Sequence, residues 1–146
     1  MFDTEVGIRR LACIAALVAG VALAHAAPER HYAGVTDDRQ ALAVVLTGGG
    51  RGSIRIQTTV ALSCPGKGAP PAPLHVLIYR VPVSDSGAFR VRLLAVHPRL
   101  RRVVVSIAGK VRADRVDGAI AARGERARWC RSFVRFSSRL LVGQYG

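Results

Sequence analysis

Arginine dominates the residues able to do chemistry. Arg131, Arg135 and Arg139 stand four positions apart near the C-terminus, so an extended chain presents all three on one face. Arg123, Arg126 and Arg128 precede them, and Arg90 and Arg92 alternate in the same way earlier. A guanidinium fork matches the oxygens of a phosphate or carboxylate bidentately, so such a stripe suits an anionic partner. Phe133 falls on the same face, between Arg131 and Arg135. A platform for stacked bases needs more aromatic residues than this chain has outside its core, so sequence-specific nucleic-acid reading is not expected. Arg126, Arg128, Arg131, Arg135 and Arg139 form the candidate polyanion-contacting set.

Other chemistries find less support. His31, His75 and His97, with Asp37, Asp38, Asp85, Asp114, Asp117 and several serines, allow a hydrolytic site to be drawn, but no G-x-S-x-G elbow frames a nucleophile. His75 stands out of phase with Leu74 and Val76, which points it away from a core. No H-E-x-x-H, C-x-x-C or calcium-loop pattern is present, so neither a metal nor a cofactor is expected. Gly48 to Ser53 is glycine-rich but lacks the lysine of a phosphate loop and links two extended runs instead of opening a helix. Asp37 and Asp38 read as turn residues.

The elements that must position these groups are strands. Ile54, Ile56, Thr58, Val60, Leu62 and Cys64 share one face; Arg55, Gln57, Thr59, Ala61 and Ser63 share the other. That period of two marks a half-buried antiparallel strand. Gln40 to Thr47 is a strand before it, joined through the glycine-rich turn. Pro65 to Pro73 holds four prolines and is expected as an exposed loop. Leu74 to Val83 is extended, Ser84 to Gly87 is a turn, and Ala88 to Ala95 is expected to return as the hairpin partner. In that run Phe89, Val91 and Leu93 point inward. Val96 to Arg102 reads as a connection. Val103 to Arg112 is a strand, with Gly109 on its apolar side marking a bulge or close packing. Ala113 to Arg115 turns the chain, Val116 to Arg123 returns it, and the last strand runs from about Trp129 to Leu140, with Cys130, Ser132, Val134 and Phe136 on its inner face. Seven or eight short strands at regular spacing predict an all-β fold, an antiparallel sandwich or small barrel.

The first 26 residues read as a secretory signal helix. Arg9 and Arg10 form the basic region, Leu11 to Ala24 the apolar run, and Ala24-His25-Ala26 an A-x-A cleavage site. Fourteen residues are too few to span a bilayer, which needs about 20. Asp3 and Glu5 are unusual in such a region, and Val6 is a possible alternative start. The flanks of the arginine pair fit the general secretory route better than the twin-arginine route. Cys13 sits too early for a lipoprotein. Cleavage leaves one domain, 27–146, with no transmembrane segment.

That domain keeps the whole formal charge of +13, because the leader holds as many acidic as basic residues. Arginine excess beside abundant Ala, Gly and Val is what GC-rich codon usage produces. The other account is attraction to an anionic envelope polymer, lipid headgroups or another polyanion. Cys64 and Cys130 remain after cleavage, and two cysteines in a small exported domain most simply form one disulfide.

The succession Tyr32-x-Gly34-x-Thr36, Cys64, Gly87-Ala88-Phe89, Val105-x-Ile107-x-Gly109-x-Val111, Val116-x-Gly118 and Cys130-x-Ser132-x-Val134-x-Phe136 resembles a diffuse set of small, uncharacterised exported bacterial β proteins. The resemblance spans nearly the whole of 27–146. It implies an all-β fold with one disulfide and brings no assigned activity. The expected role is therefore non-catalytic binding or structure at the envelope or outside the cell, through the arginine face. The alternatives are a secreted hydrolase with a His/Asp site and a carrier with a ligand cavity inside the barrel.

Overall fold

The computed structural model describes residues 28–48, 52–66 and 71–142. The expected leader and the tip of the glycine-rich turn, 49–51, lie outside those residues. Eight strands follow in order: β1 (Glu29–Thr36), β2 (Ala41–Thr47), β3 (Ser53–Leu62), β4 (Ala72–Pro82), β5 (Ala88–His97), β6 (Arg101–Val111), β7 (Arg115–Gly124) and β8 (Arg131–Leu140). All pair antiparallel in one sheet of order β4-β3-β2-β1-β8-β7-β6-β5. The sheet coils into a nearly closed barrel whose two edges are β4 and β5. There is no helix among the described residues.

The alternation expected for β3 holds. Ile54, Ile56, Thr58, Val60 and Leu62 are buried, and Arg55 and Gln57 are exposed. The same logic fills the interior with one apolar cluster drawn from every strand. It includes Tyr32, Val44, Ile56, Val60, Val76, Phe89, Val105, Ile107, Ile120 and Phe136. Buried hydroxyls find backbone partners, as burial demands. Thr58 Oγ1 donates to the Ala41 carbonyl at 2.8 Å and Ser138 Oγ to the Val116 carbonyl at 3.1 Å. Among the described residues the buried Tyr32 hydroxyl has no hydrogen-bond partner.

One row across the interior shows how volume is shared. Phe89 on β5 faces Gly109 on β6, Gly109 faces Gly118 on β7, and Gly118 faces Phe136 on β8. A Cβ on Gly109 would lie 2.5 Å from the Phe89 ring, and one on Gly118 would lie 2.5 Å from the Phe136 ring. The close packing expected at Gly109 is this contact. Two large rings at the row's ends occupy the space two missing side chains leave at its centre.

Three expectations need correction, and one strand was not separately placed: Glu29–Thr36 is β1, the partner of both β2 and β8. Ala72 and Pro73 belong to β4 instead of the proline-rich loop. An edge strand tolerates prolines because the missing N–H falls on its unpaired side. The connection expected over Val96 to Arg102 shrinks to a turn at 98–100, since β5 runs to His97 and β6 begins at Arg101. Finally, β4 and β5 are joined by a tight turn, with the Ser84 N–H bonded to the Ala88 carbonyl at 2.9 Å, but they form no ladder. Each pairs only on its other side, β4 with β3 and β5 with β6. β4 carries prolines near both ends, a register shift against β3 and the left-handed backbone of Arg80 (φ 56°), devices that suit an unpaired edge.

At the opposite corner the barrel is stapled. The Ser63 N–H donates to the Arg131 carbonyl at 3.1 Å and the Arg131 N–H to the Ser63 carbonyl at 3.0 Å. Beside this bridge Cys64 and Cys130 form a disulfide, their Cα atoms 4.1 Å apart. Closing a loop across 66 positions stabilises a fold by about 4 kcal/mol on the chain-entropy account. The bond fits an oxidising, extracytoplasmic location.

Candidate functional site

The reverse face of β5 to β8 carries the arginines, because each inward apolar residue leaves its neighbours pointing out. The pairing aligns three outward rows. Arg90, Ala108, Ala119 and Arg135 form one; Arg92, Ser106, Ala121 and Phe133 the next; Leu94, Val104, Arg123 and Arg131 the third. Small side chains occupy the middle strands of the first two rows and long ones the flanks. The result is a trough with a floor of Ser106, Ala108, Ala119 and Ala121. One part, about 460 Å³, is bounded by Arg92, Arg123, Arg128, Arg131 and Phe133. The adjoining part, about 360 Å³ and mostly apolar, runs on toward Arg90.

Hydrogen bonding sets how close the backbones of two of these arginines lie. The N–H and C=O of Arg131 are spent on Ser63, on the far side of β8 from β7. Arg131 and Arg123 are therefore a non-hydrogen-bonded pair, the class in which side chains approach most closely. Like charges placed so are mutually unfavourable unless an anion lies between them. Arg128 joins them from the β7–β8 loop. That loop is held by the Gly124 N–H to the Cys130 carbonyl (2.9 Å), by the Cys130 N–H to the Ala127 carbonyl (3.0 Å) and by the disulfide. The guanidinium groups thus stem from a stapled base instead of a loose tip.

Among the described residues no carboxylate lines the trough. The nearest ones in sequence are engaged elsewhere. Glu125 pairs with Arg102 at 3.1 Å. Asp117 takes Arg115 at 3.0 Å, Arg112 at 3.6 Å and the Ser137 hydroxyl at 2.7 Å. Among the described residues, none of Arg92, Arg123, Arg128 and Arg131 has an ion-pair partner.

All five arginines of the expected set are exposed. Arg131 and Arg128 reach the rim. Arg135 lies at the head of the adjoining row, Arg139 lies further along β8 opposite Arg115 and Ala33, and Arg126 sits in the loop away from the depression. Arg92 and Arg123 complete the rim. Their outward phase was readable, but only the strand order shows that they meet Arg131. Exposed apolar groups border the same face: Trp129 is 58% and Phe133 63% accessible, and Leu94 and Val96 stand on β5.

His31 stands apart from the other two histidines, and His75 and His97 line one cleft that has no carboxylate or serine among its described lining residues. His31 Nε2 lies 3.5 Å from Glu29 at the start of β1. His75 Nδ1 meets the Thr59 hydroxyl at 3.0 Å on the outside of β4. His97 is buried at the end of β5, where its Nδ1 accepts the N–H groups of Arg99 and Leu100, both at 3.2 Å. Among the described residues no group of three His, Cys, Asp or Glu is placed to hold a metal ion. Nor is any helix among them long and apolar enough to cross a membrane.

No family model, curated protein or solved structure matches this chain.

Proposed function

We propose that this domain is exported and binds an anionic polymer of the cell envelope along the trough on β5 to β8. The observation that carries the reading is the convergence of Arg92, Arg123, Arg128 and Arg131 on one depression without a carboxylate among its lining residues. Repulsion among four guanidinium groups is a standing cost to the free protein, and phosphate or carboxylate groups of a linear polymer relieve it. The small-residue floor lets the polymer backbone lie close to the sheet.

A polymer contact that neutralises four cations releases roughly three counterions by the usual proportion, so binding falls steeply with salt. Retention on immobilised heparin tests this. The expected result is a late elution that moves sharply earlier when Arg123 and Arg131 are changed to serine. Passage through the column at low salt contradicts it.

Lipid headgroups are the second reading. Trp129, Phe133, Leu94 and Val96 favour it, since apolar groups ringed by arginines suit a membrane interface. Binding to phosphatidylglycerol vesicles that exceeds binding to heparin, and that is lost in Trp129→Ser with Phe133→Ser, selects this reading over the polymer.

A further inference from the structure

The seam between β4 and β5 holds a second feature, whose lining shares no residue with the arginine trough. The two edge strands run antiparallel out of their tight turn without forming a ladder. At the end away from the turn a cleft of about 480 Å³ lies between them, within the size range of small-molecule sites. Pro73 and His75 line it from β4, Val96 and His97 from β5, and Pro98 and Arg99 from the following turn. Its walls are mostly proline rings and aliphatic groups, and no carboxylate is among them.

His97 gives the cleft its chemistry. Its side chain belongs to a residue only 4% accessible. Nδ1 accepts two backbone N–H groups, so the ring proton sits on Nε2. Among the described residues Nε2–H has no acceptor, and Nε2 is not among the buried atoms without a partner. Nε2 therefore keeps some exposure to solvent, on a residue that lines the cleft. A metal would need the lone pair of that nitrogen, which the proton occupies; an acceptor oxygen would not. Arg99 adds a second donor and a positive charge on the same wall.

We infer that this cleft binds a small organic carboxylate with an apolar body. The carboxylate accepts from His97 Nε2–H and from the Arg99 guanidinium, and the body rests on Pro73, Val96 and Pro98. The site is independent of the polymer trough, since the two share no residue.

The test is a titration of the protein with 4-phenylbutyrate, followed by nitrogen–proton NMR, beside the uncharged 4-phenylbutanol. The inference expects saturable shifts at the amides of His75, Val96, His97 and Arg99 and at the His97 ring nitrogens, with the alcohol binding at least about tenfold more weakly. Two variants localise the contact. His97→Asn keeps a side-chain oxygen able to accept the two turn N–H groups but removes the ring donor. Arg99→Gln, on the exposed turn, removes the charge and leaves the fold alone. Each weakens 4-phenylbutyrate about tenfold, whereas Arg123→Ser leaves it unchanged. Equal binding of acid and alcohol, shifts centred on the arginine trough, no saturable shift, or full affinity in Arg99→Gln overturns the inference.

Discussion

The two faces of β5 to β8 are built on the same arrangement of sizes and come to opposite ends. Inside, the row Phe89, Gly109, Gly118, Phe136 places large residues at its flanks and the smallest at its centre, and the rings fold over the glycines until the gap is gone. Outside, Arg92, Ser106, Ala121 and Phe133 repeat the order large, small, small, large, but the depression stays open. The difference follows from the flanking groups. Phenyl rings gain by leaving water for the centre of the row. Guanidinium groups keep their hydration and repel one another, so they stand apart along the rim. A gap with a ring at each end becomes core; one with a guanidinium at one end and a single exposed ring, Phe133, at the other stays open.

This contrast can be broken in graded steps. The largest effect is expected from Phe136→Ala, which reopens the inner gap and lowers stability by about 3–5 kcal/mol in urea unfolding. Phe133→Ala, at the matching outer position, changes it by less than about 0.5 kcal/mol. Equal losses from the two would erase the distinction between filled and open rows. Next is Gly118→Ala. Its Cβ would sit 2.5 Å from the Phe136 ring and 2.6 Å from the Ala108 carbonyl, so a destabilisation of about 1–3 kcal/mol is expected. Ala121→Val adds more bulk on the other face of the same strand and is expected to unfold within about 0.5 kcal/mol of the parent. It narrows the floor of the trough, so its signature is earlier elution from heparin. The smallest effect has the opposite sign. Arg123→Ser removes one member of a close like-charge pair and is expected to raise stability by about 0.2–1 kcal/mol while weakening heparin retention. A loss of stability there would mean that Arg123 has a partner in the free protein.

Much of the inner face was legible because it is local. Period-two alternation placed β3, β6 and β8, and put Arg90 and Arg92 opposite Phe89 and Val91. It also set Arg131, Arg135 and Arg139 on the outside of β8. The Cys64–Cys130 bond followed from count and compartment. What alternation cannot carry is which strand lies beside which. The tight turn at Ser84 to Gly87 has every local mark of a hairpin, yet β4 and β5 are the sheet's two edges. Prolines at 73 and 82 and the left-handed backbone of Arg80 bear on pairing, not on strand propensity. The trough was hidden for the same reason. Arg92, Arg123, Arg128 and Arg131 come from three strands and a loop, and only the registers of β5 with β6, β6 with β7 and β7 with β8 bring them to one rim. The His97 donor was hidden as well, because its tautomer depends on a turn that closes two and three residues later.

Total charge alone would draw this protein to any polyanion, so the decisive measurement compares losses of equal charge at different places. Heparin affinity is measured across a salt series for the parent, for Arg123→Ser with Arg131→Ser, and for Arg30→Ser with Arg55→Ser, which removes two exposed cations from β1 and β3. If the trough is the binding face, the first pair loses at least about tenfold in affinity, its log–log salt slope falls by about 1.5, and the second pair stays near the parent. Equal losses from both pairs would show that net charge, and not the arginine trough, holds the polymer.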